Sequence, residues 1–191
     1  ALCNRIDRNT GGIVIAAKNA ETLRIINDKI RGHELTKRYL CITLGAPQPL
    51  QGEVENFLRK DEKKKQVFVF HKPVPGAKTA VTRYKTLQRR GELALVEVEL
   101  LTGRTHQIRA HLASTGHPLL GDTKYGDSKL NRRMQSEYSL HHQLLHAGRV
   151  CFPEEAEGPL AKVSGQTFDA PLPHKFAEIL QALNLTPDSA C

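Results

Sequence analysis

Two β-rich runs, residues 79–87 and 93–101, are separated only by Gln88-Arg89-Arg90-Gly91-Glu92. Five residues that include a glycine suit a hairpin connection and are too few for a helical crossover, so the runs should pair antiparallel. Four further segments read as strands. Residues 37–44 carry Tyr39, Leu40, Ile42 and Thr43 and end near Gly45, before two prolines and a glycine. Val67-Phe68-Val69-Phe70 follows the polar run Arg59-Lys60-Asp61-Glu62-Lys63-Lys64-Lys65, which reads as a mobile basic hairpin tip. Residues 144–152 form another strand, and Ile13-Val14-Ile15-Ala16-Ala17 reads as a short buried one.

Helical spacing is confined to three places. Asn19 can cap a helix over residues 20–31, with Glu21 in its first turn, Leu23, Ile26 and Ile30 on one face, and Gly32 as the stop. Thr105 can open a second, in which Ile108, Leu112 and Thr115 share a face before Gly116 and Pro118. Residues 173–183 give a third, with Phe176, Ile179, Leu180 and Leu183 at three- and four-residue spacing. Strands outnumber helices and several joins are hairpins. The fold class is therefore α+β around a largely antiparallel or mixed sheet, and a doubly wound sheet fits poorly. The 191 residues suit one domain.

Aromatics make up 5% of the chain, with no Trp and one Met, so the core must be built from Leu, Ile, Val and Ala. The sequence has no apolar run of membrane-spanning length and no signal-peptide layout, so a soluble, intracellular, cytoplasmic protein is expected, with no membrane partner. Lys plus Arg number 28 against 20 for Asp plus Glu, a net charge of +8 that favours a polyanionic partner, with nucleic acid foremost. Cys3, Cys41, Cys151 and Cys191 stand far apart without a C-x-x-C pair, which suits reduced thiols better than a disulfide scaffold or a zinc ribbon.

Two segments concentrate polar and turn-forming residues at strand ends. The first is Asn4-Arg5-Ile6-Asp7-Arg8-Asn9-Thr10-Gly11-Gly12, where an aspartate between arginines reads, without context, as a turn residue with a surface ion pair. The second is Leu101-Thr102-Gly103-Arg104-Thr105-His106-Gln107-Ile108-Arg109 with the later Gly116-His117-Pro118-Leu119-Leu120-Gly121-Asp122. Taken with Lys37-Arg38-Tyr39 between them and Leu145-His146-Ala147 after them, they resemble RNA pseudouridine synthases of the RluA type. That family's pattern around its catalytic aspartate reads His-Arg-Leu-Asp-Arg-x-Thr-Ser-Gly. Asn4, Ile6 and Gly11 depart from it, and the later blocks match in the right order over residues 4–147.

The resemblance implies isomerisation of uridine to pseudouridine in structured RNA, with ribosomal RNA favoured over transfer RNA, base flipping, and no metal or organic cofactor. It implies that Asp7 is catalytic, attacking C1′ of the ribose or removing a proton from C2′. Arg104 falls on the arginine expected to pair with Asp7 and keep it ionised. Tyr39 falls on the active-site tyrosine, able to stack on the base and assist proton transfer at C5. Arg5 falls on an arginine that fills the vacated stack or holds the flipped nucleotide. Lys37, Arg38, Arg109, Lys124 and the 59–65 loop are candidate phosphate contacts.

The histidines His106, His111, His117, His141, His142 and His146 invite a metal reading, with His142 and His146 four apart on a possible helix, but no acidic ligand pattern accompanies them. Two rival readings are a catalytically silent RNA-binding module and a metal-dependent nuclease. The family's pattern also implies a preceding strand segment and often an upstream RNA-binding domain. The chain, opening at Ala1 close to Asp7, is therefore expected to be a catalytic domain, a monomer, cut from a longer protein.

Overall fold

The computed structural model of the chain describes residues 1–155 and 157–187. One sheet organises them. Its strands are β1 Gly11–Gly12, β2 Thr36–Leu44, β3 Gln51–Asp61, β4 Gln66–Phe70, β5 Lys78–Arg90, β6 Leu93–Leu100, β7 Leu145–Cys151 and β8 Thr167–Asp169. They lie in the order β1-β7-β2-β6-β5-β3-β4, with β8 also on β7. Only the β1–β7 pair is parallel among the described strands, so the sheet is mixed and largely antiparallel, as the hairpin connections require. The helices are α1 Ala20–Arg31, α2 Gln107–Ser114, α3 Ser128–Tyr138 and α4 His174–Ala182.

Alternation along the strands sorts the core into two faces. Tyr39 and Cys41 of β2, Tyr84 of β5, and Val96 and Val98 of β6 pack on Ile108 and Leu112 of α2. On the other face, Ile42, Leu93 and Leu95 meet Leu130 and Met134 of α3 and Phe176, Ile179 and Leu180 of α4. Ile26 of α1 packs with Val150 of β7 in a third cluster. Helix α1 begins as its sequence dictates, the Asn19 side chain accepting the Thr22 N–H at 2.8 Å, and ends at Gly32.

Several expectations are corrected. Residues 13–17 are not a buried strand: Ile13 and Ile15 are half-buried against the α1 cluster while Val14 is 41% exposed, the alternation of a segment packed on one side only. The strand lies just before, at Gly11–Gly12, where Gly12 has φ +113° and a Cβ would stand 2.1 Å from the Ala147 carbonyl, so only glycine fits. Arg59, Lys60 and Asp61 end β3 rather than forming a loop, which leaves residues 62–65 as the turn. Helix α2 is entered from His106 in the left-handed region at φ 52°, with no side-chain cap, so Thr105 does not open it. The β5–β6 connection is tighter than five residues, with a register shift between Thr86 and Gln88 and strand pairing as far as Arg90 and Leu93. Strand β3 and helix α3, neither expected, are discussed below. Cys3, Cys41 and Cys151 are free thiols, and Cys191 lies outside the described residues. No described helix is long and apolar enough to cross a membrane.

Candidate active site

The loop holding Asp7 is fixed from both sides of the chain. Asn4 Oδ1 accepts the Ile15 N–H at 2.7 Å, so the asparagine that departs from the family pattern closes the base of the loop. Thr10 N–H donates to the Asp7 carbonyl at 3.0 Å, making a turn whose Asn9 sits at φ 68°. Gln143, just ahead of β7, donates through Nε2 to the Arg8 carbonyl at 2.8 Å and to Thr10 Oγ1 at 3.3 Å. Parallel pairing of β1 with β7 continues the anchor, placing Gly11 opposite His146 and Gly12 opposite Ala147.

The cation beside Asp7 is Arg109, not Arg104. Arg109 Nη1 donates to Asp7 Oδ2 at 3.3 Å. Its Nε and Nη2 grip Asp122 at 2.7 and 3.1 Å, in a bidentate pair whose carboxylate side chain is fully buried. Arg104 is exposed; its Nε donates to the Thr79 carbonyl at 3.0 Å and its backbone N–H to Gln107 Oε1. The physical reason is position: Arg109 lies in the first turn of α2 with its side chain directed into the fold, whereas Arg104 lies in the turn before the helix. That turn is pinned by the buried Gln107, which accepts from Thr102 Oγ1 and donates to the Val81 carbonyl.

Asp122 is itself oriented. Its Oδ1 also accepts the N–H groups of Lys124 and Tyr125, at 2.9 and 3.0 Å, and Asn131 of α3 donates to its carbonyl and accepts the Gly121 N–H. Burial pushes the Asp122 carboxyl up, but the Arg109 hydrogen bonds and charge and the two N–H groups outweigh it, and the net shift is downward. Arg109 is shifted up: burial opposes its charge, and the Asp122 and Asp7 carboxylates overcome that. The Tyr125 ring lies 5.2 Å from the Arg109 guanidinium. The Tyr125 hydroxyl accepts the Val67 N–H at 2.8 Å and meets His106 Nδ1 at 2.8 Å. Burial lowers the pKa of His106.

Asp7 opens onto a cleft of about 420 Å³ lined by Arg5, Lys37, Tyr39, Gly103, Arg104 and Thr105 among others. Tyr39 is buried, and desolvation, with the Asp7 charge adding to it, raises its phenol to about 12, so it keeps its proton at neutral pH. Lys37, two residues away on the same face of β2, is also buried, and burial lowers its pKa. Arg38 points to the opposite face, toward Glu97 at 3.7 Å, and is no part of the cleft. Lys124 lies on the surface, its Nζ donating to the Lys65 carbonyl in the β3–β4 turn.

The structure therefore brings together Asp7, Arg109, Tyr39, Lys37, Arg5 and Arg104, and leaves Arg38 apart. Sequence reasoning quoted Asp122 within a block but gave it no role, and passed over Tyr125 and Gln143. The signal for Asp122 was present: it follows Leu119-Leu120-Gly121, and Arg109 stands between Ile108 and Ala110. These are two opposite charges in apolar settings that each need a partner. The histidines do not gather: His106, His111, His117, His142 and His146 contact Tyr125, Thr82, the Leu44 carbonyl, Asn9 and the Ala170 carbonyl respectively. His142 lies in a loop and His146 on β7, so the four-residue helical spacing is not realised, and no metal-holding group of three His, Cys, Asp or Glu occurs among the described residues.

Comparison with known proteins identifies the family. The family model for RNA pseudouridylate synthase matches residues 1–114, which include Asp7, Tyr39, Arg104 and Arg109. The chain belongs to the RNA pseudouridylate synthase family. It is 32% identical over 185 residues to an RNA pseudouridine synthase of Mycoplasma genitalium, covering 97% of this chain and 56% of that protein. It is 33% identical over 182 residues to ribosomal large subunit pseudouridine synthase C of Haemophilus influenzae, covering 95% and 54%. The chain thus spans about half the length of these relatives. The solved structure of human RNA pseudouridylate synthase domain containing 4 superposes with a TM-score of 0.77 at 25% identity, over 96% of this chain and 75% of that one.

Proposed function

We propose that this chain is the catalytic domain of an enzyme that isomerises specific uridines to pseudouridine in structured RNA, with Asp7 as its catalytic carboxylate. The observation that carries the reading is the Asp122–Arg109–Asp7 chain: a fully buried carboxylate fixes the guanidinium, and the guanidinium faces the half-exposed Asp7 at the mouth of a cleft floored by Tyr39 and Lys37. A carboxylate enclosed by bound RNA would tend to take up a proton, and an immobilised cation opposes this. Both available chemistries, attack on C1′ and removal of the C2′ proton, need Asp7 ionised.

The flipped uridine enters the cleft, costing a few kcal/mol of stacking, which contact with the Tyr39 ring partly offsets. After the base turns, C5 bonds to C1′ and gives up its proton, and the Tyr39 hydroxyl is the group positioned to assist. Arg5 and Arg104 are exposed cations lining the cleft and contact phosphates, with Arg5 also supporting the displaced stack, and the exposed Lys124 beside the β3–β4 turn contacts phosphate further along the RNA. Relatives named for the ribosomal large subunit favour ribosomal RNA as the substrate, with transfer RNA as the alternative. No cofactor takes part in the proposed reaction, and the domain acts as a cytoplasmic monomer.

The test is tritium release from RNA labelled at uridine C5, using ribosomal and transfer RNA in parallel. The expected result is release by the parent chain and none by Asp7→Ala. Binding without release by the parent would replace this reading with that of an RNA-binding module.

A further inference from the structure

Lys37 is the anomaly of the cleft. It is only 6% exposed, yet among the described residues no carboxylate stands within 4.0 Å of its Nζ and none hydrogen-bonds to the ammonium. Its stem is buried and its ammonium reaches solvent only through the cleft, so the charge is paired by whatever occupies the cleft rather than by any of the 20 acidic residues in the sequence. Gly103 lies beside the ammonium: a Cβ there would be 3.9 Å from Lys37 Nζ and close to nothing else. The head group is therefore set under the Thr102-Gly103-Arg104 turn, on the same side of β2 as Tyr39, and lines the cleft that Asp7 overlooks.

From this placement we infer that Lys37 is the electrostatic partner of the departing uracil, stabilising the negative charge that the base acquires when the N1–C1′ bond breaks. The inference rests on the uridine isomerisation proposed above. In either route the base leaves with the electron pair of that bond: Asp7 supplies a new bond to C1′, or it takes the C2′ proton as a double bond forms in the sugar. The pair is delocalised over N1, C5, O2 and O4 until C5 bonds to C1′, as the Asp7–C1′ bond breaks or, in the other route, as the sugar double bond opens and Asp7 returns the proton to C2′; the C5 proton is then lost and N1 gains one. A desolvated ammonium fixed beside the base acts on that charge with little screening.

A phosphate is the poorer occupant. The flipped base is the deepest part of the substrate, whereas the backbone stays at the rim, where the exposed Arg5 and Arg104 already stand. Burial also weakens the hold of Lys37 on its proton, and an anion arriving in the cleft restores it.

The experiment compares the single-turnover disappearance of uridine with that of 5-fluorouridine at the target position of otherwise identical RNA, read by chromatography of the digested, labelled nucleotide; 5-fluorouridine has no C5 proton to lose, so its product is scored as the C5-linked nucleotide that keeps its fluorine. Fluorine makes the base a better leaving group, so it needs less help. Lys37→Met should lose about 10²-fold with uridine, the scale of removing one preorganised donor from a developing charge. With 5-fluorouridine it should lose no more than about tenfold, and RNA affinity should hardly change. Lys37→Arg should keep the parent ratio between the two substrates. Equal losses on both substrates, or a loss confined to RNA affinity, would make Lys37 a phosphate contact and overturn the inference. A parent chain that converts neither base defeats the isomerisation reading, and the inference with it.

Discussion

Asp122→Asn tests whether the buried carboxylate is what holds the arginine beside Asp7. The substitution keeps the shape and one acceptor oxygen but removes the charge. Asp122 is fully buried and the Arg109 side chain only 8% exposed, so solvent cannot replace what is lost. Arg109 would keep its 3.3 Å contact to Asp7 and at most one of its two bonds, of 2.7 and 3.1 Å, to residue 122, where an amide N–H would now face the guanidinium. Breaking a buried pair from one side costs about 3–5 kcal/mol. For a domain of this size each kcal/mol moves the melting temperature by about 2–4 °C, so a drop of at least about 6 °C is expected at pH 7.

The pH dependence has a definite sign. Folding lowers the Asp122 pKa, so its contribution is complete above about pH 4, the unfolded value, and is lost as the pH falls through the folded value. The gap between parent and variant should therefore be constant from neutrality to about pH 4 and close only below it. The assay is thermal melting followed by circular dichroism, repeated in an Arg109→Met background. There Asp122→Asn should cost much less, because its charged partner is gone. A shift under about 2 °C at pH 7, or an undiminished cost in the Arg109→Met background, would refute the reasoning.

Three other outcomes are expected. His111, held at Nδ1 by Thr82 Oγ1 and pushed by burial down to about 4, should show no ring titration by NMR near neutrality. Stability that it contributes above about pH 6.5 should be lost as the pH falls toward its folded value, and a midpoint near 6.5 would contradict its burial. Tyr39 and Tyr125, both raised by burial to about 12, should give phenolate absorbance only at the alkaline end of a spectrophotometric titration. The stability they contribute is complete below about pH 10 and lost above it, so early titration of the folded chain would count against both assignments. Gly12→Ala should abolish soluble folded protein or remove the β1–β7 pairing, read by melting and by tritium release, because its Cβ would stand 2.1 Å from the Ala147 carbonyl. A fully stable and active Gly12→Ala chain would deny that the contact anchors the Asp7 loop.

The legible parts of the chain were those where local chemistry and burial agree. Helix α1 has its cap at Asn19, its apolar stripe and its glycine stop, and α4 has a stripe that reaches the core through Phe176, Ile179 and Leu180. Strand β3 was hidden because its outward positions Glu53, Glu55 and Arg59 are charged, and half of a strand facing solvent gives no apolar signal. Helix α3 was hidden for a similar reason, since only Leu130 and Met134 of its eleven residues are buried. At the site, the family pattern pointed to the Arg104 region but could not tell two arginines five residues apart from one another. One lies before the helix and one inside it, and the direction of a side chain at a turn is set by the fold.

The contacts that hold Asp7 span almost the whole chain: its cation is 102 residues away, and the Gln143 side chain that grips the neighbouring carbonyl is 135 residues from Arg8. Loops of that length close late, after the local hairpins have formed, and their closure is set by the topology of the sheet. A nascent chain that has emerged only as far as β6 therefore carries the Asp7 loop with its local closure, Asn4 to Ile15, but without Arg109, Gln143 or the β7 neighbour. The carboxylate acquires its setting when β7 inserts between β1 and β2, so that setting forms only as the sheet around it is completed.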